Sequence, residues 1–266
     1  MTANLQPEPI LQSDLPDAPW LTGTNRLPGT GPGTMADVLR VDDAYAAQMA
    51  LRARLIDTVP TLVYALAPDA LPAAREALDT VLGLLGARPD FGIARDAVIR
   101  PDGVETRIDR DRPLMTLGRL VQNDVCLMQK RGDEHILTGA ILCFPASWTL
   151  AEKINRPLSL IHGQIDEYDD NITRRVQRLF DGIQVGRPLV RFNALRYRDA
   201  SLFQPRREGD RRPRPLGDVE YVRSERQCLF RLPRTDAVVF AIHTTVLRHA
   251  GLGGASQQAL KAYMTH

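Results

Sequence analysis

The sequence is poor in aromatic residues, in lysine and in long apolar runs. Aromatic side chains make up 6% of its 266 residues, and lysine occurs only at Lys130, Lys153 and Lys261. No apolar run approaches the roughly 18 residues that a membrane-spanning helix needs. The start of the chain has no basic stretch followed by an apolar block, so we expect no secretory signal and a cytoplasmic protein.

Cysteines and the common catalytic motifs are also scarce. Cys126, Cys143 and Cys228 form no C-x-x-C pair, so neither a disulfide framework nor a cysteine zinc site is expected, and an iron–sulfur cluster needs about four thiolates. Walker, G-x-S-x-G and H-E-x-x-H motifs are missing, which leaves generic nucleotide and hydrolase chemistry without support. A net charge of +2 does not favour general nucleic-acid binding.

Composition divides the chain into three parts. Residues 1–33 are rich in proline, glycine and threonine, and they are predicted to form an extended arm that is poorly ordered unless docked on a partner. Residues 34–115 are predicted to form a helical extension with a short hairpin, including helices over 34–58 and 71–85. Residues 116–266 are predicted to form the main domain, packed with the extension as one globular unit.

Five candidate strands in the last part indicate the architecture. They cover residues 124–130, 135–144, 188–195, 219–232 and 236–246. A helical region over residues 147–186 separates the second candidate from the third. Strands joined by short turns pair antiparallel, and helices that leave one sheet edge and return at the other must cover one face. We therefore predict an α+β fold, with a PAS-like antiparallel sheet of about five strands and a helical side wall enclosing an apolar pocket.

Two histidines lie in apolar surroundings and are candidate metal ligands. His162 belongs to the predicted side wall, from which an imidazole nitrogen can point into the pocket and ligate a haem iron. His243 lies on the last strand, where it alternates with Val239 and Ala241. The alternative for His162 is a core histidine bonded to a carbonyl, and the alternative for His243 is a strand histidine at the sheet face. His135 is expected on the surface.

The strand YVRSERQCLFRL carries an unusual number of charges. Alternation places one set of side chains on one face of the sheet, namely Val222, Ser224, Arg226, Cys228, Phe230 and Leu232. It places the other set on the opposite face, namely Tyr221, Arg223, Glu225, Gln227, Leu229 and Arg231.

Arg226 therefore shares a face with apolar side chains and needs a partner. Burying an unpaired guanidinium is very costly, so the partner is either a buried carboxylate, such as Asp124 or Glu225, or an anionic ligand. Arg191 and Asn193 alternate similarly on the preceding strand, and we expect them to point the same way as Arg226.

Two long segments resemble a known family. CFPASWTLAEKINRPLSLIHGQIDEY is similar to its central segment, in which Phe-Pro and Trp precede Glu-Lys, Pro-Leu and Ile-His. YVRSERQCLFRLPRTDAVVFAIHT is similar to its C-terminal signature, R-x-E-R-Q-x-L-x-R-L-P followed by an apolar strand. Over about residues 40–250 the chain resembles the haem-dependent oxidative N-demethylase alpha-subunit-like family, the haem subunits of dimethylamine monooxygenases.

The resemblance implies a haem-binding PAS domain with a redox activity. A small secondary amine such as dimethylamine would be demethylated with molecular oxygen, releasing formaldehyde. Haem b would be bound by this chain. FMN, a 2Fe-2S cluster and NADPH would belong to partner reductase subunits in a hetero-oligomer, and no nucleic-acid or membrane partner is implied.

The same resemblance assigns roles to residues. Its Ile-His corresponds to Ile161-His162, which makes His162 the implied iron ligand. Its arginine-rich signature supplies the candidate catalytic residues, which are Glu225, Arg226 and Gln227. Further candidate haem contacts are Tyr168, Arg191, Asn193, Arg223 and Arg231.

One stretch departs from the family pattern. After Ile-His the family has something like Ala-Pro-Val-Pro-Gly-Tyr, whereas this chain has GQIDEY over residues 163–168. Losing both prolines changes the backbone restraints beside the implied ligand, so the pocket is expected to differ. We expect His162 still to ligate the iron, whereas the choice of substrate is expected to change. Asp166 or Glu167 either holds an alkylammonium or favours the N-terminus of the next helix.

Two other functions fit the same residues. A haem-based gas sensor would use the same pocket without turnover, and a structural subunit without haem would have the pocket packed. The arginine-rich loop over residues 198–218 is either a solvated loop or a docking surface for an acidic electron donor.

Overall fold

The structure is a computed structural model that describes residues 5–15, 18–22, 29–162, 170–210 and 220–263. Its helices are α1 (Pro19–Thr22), α2 (Tyr45–Thr58), α3 (Pro60–Val63), α4 (Leu71–Gly86), α5 (Pro113–Leu120), α6 (Leu150–Lys153), α7 (Leu158–His162), α8 (Asp170–Gly182) and α9 (Gly254–Tyr263). Its strands are β1 (Gly31–Pro32), β2 (Tyr64–Leu66), β3 (Gly92–Ile93), β4 (Ala97–Ile99), β5 (Glu105–Arg107), β6 (Asp124–Arg131), β7 (Glu134–Ile141), β8 (Leu189–Tyr197), β9 (Tyr221–Arg231) and β10 (Val238–Arg248).

An antiparallel main sheet organises the protein. In the part of the chain that is described it has seven strands, in the order β1-β8-β9-β10-β6-β7-β2. The five predicted strands form its central block, and the predicted α+β class is confirmed. The predicted number of strands was too low, because β1 and β2 are only two and three residues long and carry no periodic signal. A separate small sheet contains β3, β4 and β5.

One face of the main sheet is covered by α6, α7 and α8, and we call it the wall face. Its apolar strand residues form one cluster with side chains of the three helices, among them Leu150, Leu158, Val176 and Phe180. The helices reach this face because the chain leaves β7 near one edge and returns as β8 near the other. The side wall predicted over residues 147–186 is thus present, with residues 163–169 lying outside the described ranges.

The opposite face, which we call the core face, packs against α2, α4 and α5. The largest apolar cluster of the protein lies there and includes Leu55, Leu78, Leu117 and Phe230. The helix predicted over residues 71–85 is confirmed as α4. The helix predicted from residue 34 begins later, at Tyr45, because residues 35–37 form only a single 3-10 turn.

The N-terminal arm is docked on this chain's own sheet where it is described. Gln12 extends the hydrogen bonding of β10, since its backbone N–H donates to Val246 at 3.0 Å and its side-chain oxygen accepts from the Val246 N–H at 2.9 Å. β1 pairs with β8. In these segments the arm is docked on its own chain, and the predicted poor order of an undocked arm stays a prediction.

No helix within the described ranges is long and apolar enough to cross a membrane.

Candidate functional site

Three adjacent strands carry a patch of polar side chains on the wall face. The antiparallel register places Arg191 opposite Gln227, and Asn193 opposite Glu225. It also places Thr244 opposite Glu225 on the other side. Residues directly opposite one another share a face of the sheet. The polar patch therefore consists of Arg191, Asn193, Arg223, Glu225, Gln227 and Thr244.

Glu225 lies at the centre of the polar patch. Its Oε2 accepts hydrogen bonds from the amides of Asn193 and Gln227, at 3.1 and 3.0 Å. Its Oε1 lies 3.6 Å from Nη2 of Arg223. One carboxylate oxygen is thus saturated by amides, and the other has only a long contact to a guanidinium.

Several polar atoms of the patch are buried without a hydrogen-bond partner in the described residues. They are Nε of Arg191, Nε of Arg223, Oε1 of Gln227 and Oγ1 of Thr244. Burial lowers the pKa of Arg191, with Glu225 and Tyr263 opposing that effect. Because buried polar groups are normally paired, the two guanidinium N–H groups can still donate to an anion and the Gln227 amide oxygen can still accept from a donor.

Apolar packing bounds the patch at one end. Beyond Gln227 the wall face becomes apolar, with Leu229 and Phe240 packed in the cluster that contains Phe180 of α8. At the other end Arg223 donates to the carbonyls of Phe144 and Leu202, at 2.6 and 3.0 Å. The sheet below α8 is therefore filled by side chains.

The end of α7 is anchored by a buried lysine. Nζ of Lys153 donates to the carbonyl of Ile161 at 2.9 Å and pairs with Glu208 at 2.6 Å. Lys153 is 6% exposed. This contact fixes the backbone immediately before His162, which is the last residue of α7. Where the His162 imidazole points is outside what the structure describes, as are Tyr168, Asp166 and Glu167.

Arg226 does not join the patch. It lies on the core face, where its Nη1 donates to the carbonyl of Asp37 and to Sγ of Cys228. Neither carboxylate proposed as its partner is used, because Asp124 pairs with Arg52 and Glu225 is on the other face. Its Nη1 is thus paired with a backbone carbonyl and a thiol, and the centroid of the Phe192 ring is 5.9 Å from the guanidinium carbon. Its Nε is buried without a hydrogen-bond partner in the described residues.

The expectation that Arg191 and Asn193 point the same way as Arg226 is also wrong. Arg191 is paired in register with Gln227, and Asn193 with Glu225, so both lie on the wall face. The sequence shows alternation within each strand, but the relative phase of two strands depends on their register.

Arg231 is on the wall face, but its partners belong to α8 and to neighbouring turns and not to the patch. Its three nitrogens donate to the carbonyls of Phe180, Ile183 and Asp236 at 2.6, 2.6 and 2.8 Å. These contacts hold the C-terminal end of α8 on the sheet and leave no nitrogen of Arg231 without a partner.

The other candidate, His243, and also His135 have structural partners. Nε2 of His243 lies 2.8 Å from Oδ2 of Asp42 on the core face. His135 is fully buried beneath α8, contrary to the surface position expected, because Gln177 and Phe180 cover it. A surface depression lies between α8 and the turn before β7, and it is lined by Asp133, Glu134, Arg174, Gln177 and Arg178.

Two buried polar residues near the site escaped the sequence analysis. Thr244 follows a histidine in an apolar strand and has no motif of its own. Arg52 is completely buried in α2, and a signal for it existed, since it falls on the same helical stripe as Met49, Leu55 and Ile56.

The fold and the site together define an α+β protein with a helix-walled antiparallel sheet and a buried, incompletely paired polar patch. Residues 29–261 match the family described as haem-dependent oxidative N-demethylase, alpha subunit-like. The chain belongs to this family. The family's description names haem and oxidative demethylation, and its words "alpha subunit" refer to a component of a multisubunit assembly. A comparison with curated proteins finds no match.

The polar patch fits the group that the family's description implies. Haem is a flat apolar ring with carboxylates on one edge, and the patch offers two buried guanidinium N–H donors that lack acceptors. Apolar side chains of the wall face adjoin the patch. Arg191 and Arg223 would hold the carboxylate edge, and His162 would be the residue that supplies an imidazole to the iron.

Proposed function

We propose that this protein binds haem b between the polar patch and the side wall, in a PAS-like pocket, and demethylates a small secondary amine such as dimethylamine. The observation that carries the proposal is the set of buried, unpartnered polar atoms on Arg191, Arg223 and Gln227. Strand alternation places them on the same face of the sheet as the apolar cluster that contains Leu158 of α7. Family membership supports the choice of haem.

The residues of the patch would divide the work of binding. Arg191 and Arg223 would neutralise carboxylates on the cofactor's edge, because a desolvated guanidinium gains most from an anion. Asn193 would orient the Glu225 carboxylate through its amide. Haem iron, when bound, would activate molecular oxygen, which is the oxidant of the reaction.

Glu225 and Gln227 would act on the amine. A protonated secondary amine carries two N–H donors, which match the long-contact oxygen of Glu225 and the free amide oxygen of Gln227. Glu225 would hold the ammonium and accept a proton from it, and the low-dielectric surroundings strengthen both interactions. Arg226 has no place in this arrangement, since it faces the other side of the sheet.

The electron supply is proposed to come from partner subunits that carry FMN, a 2Fe-2S cluster and NADPH. The alpha-subunit wording of the family's description supports an assembly of this kind. The cytoplasmic location stays a prediction from the sequence.

A hemin titration followed by absorbance tests the binding step. The purified chain is expected to develop a Soret band, and His162→Ala is expected to abolish or reshape it. His249→Ala is the matched control, because His249 lies in a partly exposed turn directly after β10. A Soret band that is identical in His162→Ala would show that this residue is not the ligand. The absence of a band in the wild type would favour the alternative function, a structural subunit without haem.

Turnover separates the enzyme from a gas-binding module. Haem-loaded protein supplied with dimethylamine, oxygen and a chemical reductant should release formaldehyde. Glu225→Gln should lower that rate while keeping the Soret band, because it removes a charge that holds the amine. A wild type that binds haem and oxygen without forming formaldehyde, also with a native-like electron donor, would favour the gas-sensing function.

A further inference from the structure

Arg52 and Asp124 form a fully buried ion pair beside the polar patch. Nη1 of Arg52 lies 2.6 Å from Oδ1 of Asp124, and the two side chains are 0% and 1% exposed. Arg52 belongs to α2 and Asp124 begins β6, so the pair joins a helix to the sheet. A buried ion pair often contributes no more stability than well-packed apolar side chains would, which directs attention to the geometry that this pair imposes.

The ion pair holds Phe144 by its N–H and by its ring. Asp124 accepts hydrogen bonds from the backbone N–H groups of Cys143 and Phe144, at 2.7 and 2.8 Å. The guanidinium carbon of Arg52 lies 5.2 Å from the centroid of the Phe144 ring. The backbone N–H and the ring of Phe144 are therefore held by two charged groups that water does not reach.

The clamped residue in turn orients Arg223. The carbonyl of Phe144 accepts from Nη2 of Arg223 at 2.6 Å, and Leu202 accepts from Nη1 at 3.0 Å. These two bonds determine the plane of the guanidinium, whose Nε is buried without a partner. The backbone of a single residue, Phe144, thus connects the Asp124 carboxylate to the guanidinium of Arg223.

We infer that Asp124, held by Arg52, is a positioning residue that sets the guanidinium of Arg223 for an anionic edge of the bound cofactor. The inference rests on the proposed function, since it concerns the same pocket. Asp124 touches neither cofactor nor substrate and acts only through the Phe144 backbone. Its removal would leave Arg223 in place but free to turn, so that part of its interaction with an anion would be lost.

A double-mutant cycle on hemin affinity tests the inference. Asp124→Asn and Arg223→Gln are each expected to raise the hemin Kd by about tenfold, the scale of one charge-assisted hydrogen bond. The double variant is expected to bind no more weakly than Arg223→Gln alone, because nothing remains for Asp124 to position. A purely structural role of Asp124 predicts instead that the two factors multiply, and that result would overturn the inference.

A second buried ion pair provides the matched control. Arg100 and Asp102 lie 2.5 Å apart and are 6% and 10% exposed, in the small sheet away from the patch. Asp102→Asn should leave the hemin Kd at the wild-type value. A rise equal to that of Asp124→Asn would show that any lost buried ion pair disturbs binding, and would also overturn the inference.

A milder variant covers the case in which Asp124→Asn does not fold. Arg52→Lys keeps a positive charge for Asp124 but removes the planar group above Phe144, so a smaller rise in the hemin Kd is expected. Combined with Arg223→Gln, it should raise the Kd no further than Arg223→Gln alone does. A wild type that binds no hemin would defeat the proposed function and this inference with it. A wild type that binds, with factors that multiply, would defeat the positioning role alone.

Discussion

The imidazole of His243 and the carboxylate of Asp42 meet at 2.8 Å, from Nε2 to Oδ2, and so attach β10 to the segment before α2. Gln122 and Gln12 also donate to Asp42, at 2.7 and 2.9 Å. Burial alone would raise the pKa of Asp42, but these hydrogen bonds outweigh burial and lower it. The contact is a cross-link of the fold on the core face, on the side of the sheet away from the polar patch.

Removing the charge of Asp42 should destabilise the protein. Asp42→Asn is expected to lower the free energy of unfolding by about 1–3 kcal/mol near neutral pH, because buried partners lose a charged acceptor. Since the pKa of Asp42 is lowered, the stabilisation is present above the unfolded pKa and is lost as pH falls through the folded pKa. Urea titrations should therefore show the wild type and the variant converging in acid.

Asp43→Asn is the control for that comparison. Asp43 is exposed and accepts one bond, from the Ser13 N–H at 2.9 Å, so its substitution should change stability by less than about 0.5 kcal/mol. Equal losses in the two variants would contradict the cross-link described for Asp42.

His135 should make the protein sensitive to mild acid. It is fully buried, and its Nδ1 donates to Oε1 of Gln177 at 3.1 Å while Nε2 has no partner in the described residues. Burial lowers its pKa below the ordinary 6.5, against the opposing hydrogen bond to Gln177. The unfolded chain thus takes up a proton in a pH range where the folded protein does not, so stability falls as pH drops through the unfolded pKa.

The effect should fall between pH 7.5 and 5.5, and a single imidazole can contribute at most about 1.4 kcal/mol over that range. Unfolding free energies of the wild type and of His135→Phe, measured at both pH values, isolate the contribution of this imidazole. The variant should lose less stability than the wild type, and parallel losses would show that His135 takes up its proton equally in both states.

A methyl group added at Gly118 should destabilise α5 despite its helical location. A Cβ there would lie 2.6 Å from Cγ1 of Ile141 and 2.9 Å from Cδ1 of Ile56. We expect Gly118→Ala to cost about 1–3 kcal/mol of overpacking. Gly83 in α4 has open space around its Cα, so Gly83→Ala should instead stabilise by about 0.5–1 kcal/mol. Thermal unfolding of the two variants should shift in opposite directions, and a stabilised Gly118→Ala would contradict the close packing of α5 on β7.

Substituting Arg226 should affect stability, whereas substituting Arg191 should affect hemin binding. Arg226→Gln is expected to lower the unfolding free energy by about 1–3 kcal/mol, because the carbonyl of Asp37 loses its donor. Its hemin Kd should equal that of the wild type. Arg191→Gln should raise the hemin Kd by about tenfold. Weaker hemin binding by folded Arg226→Gln would place the pocket on the core face instead.

Local patterns predicted the elements of this fold well. The strands from residue 124 onward and α4 follow from periods of two and 3.6, and their antiparallel pairing follows from short turns. The short strands β1 and β2 and the late start of α2 did not follow, because two or three residues carry no period and tertiary contacts decide where such segments pair.

The candidate site could be predicted only in part, because local patterns give the faces of a strand but not its tertiary contacts. Alternation within β9 separated Arg226 from Arg223, Glu225 and Gln227 correctly. The partner of Arg226 was predicted wrongly, since it comes from Asp37, 189 residues away in the chain. Contacts of that separation leave no local pattern.

The amino-acid sequence alone determined the family, the α+β class and the two sets of side chains on β9, because motifs and periods are local properties of a chain. Only the tertiary structure decided which set faces the helical wall, since strand register sets the phase between neighbouring strands. It also decided that Arg52 and Asp124 clamp Phe144, because that arrangement depends on how α2 packs across the start of β6.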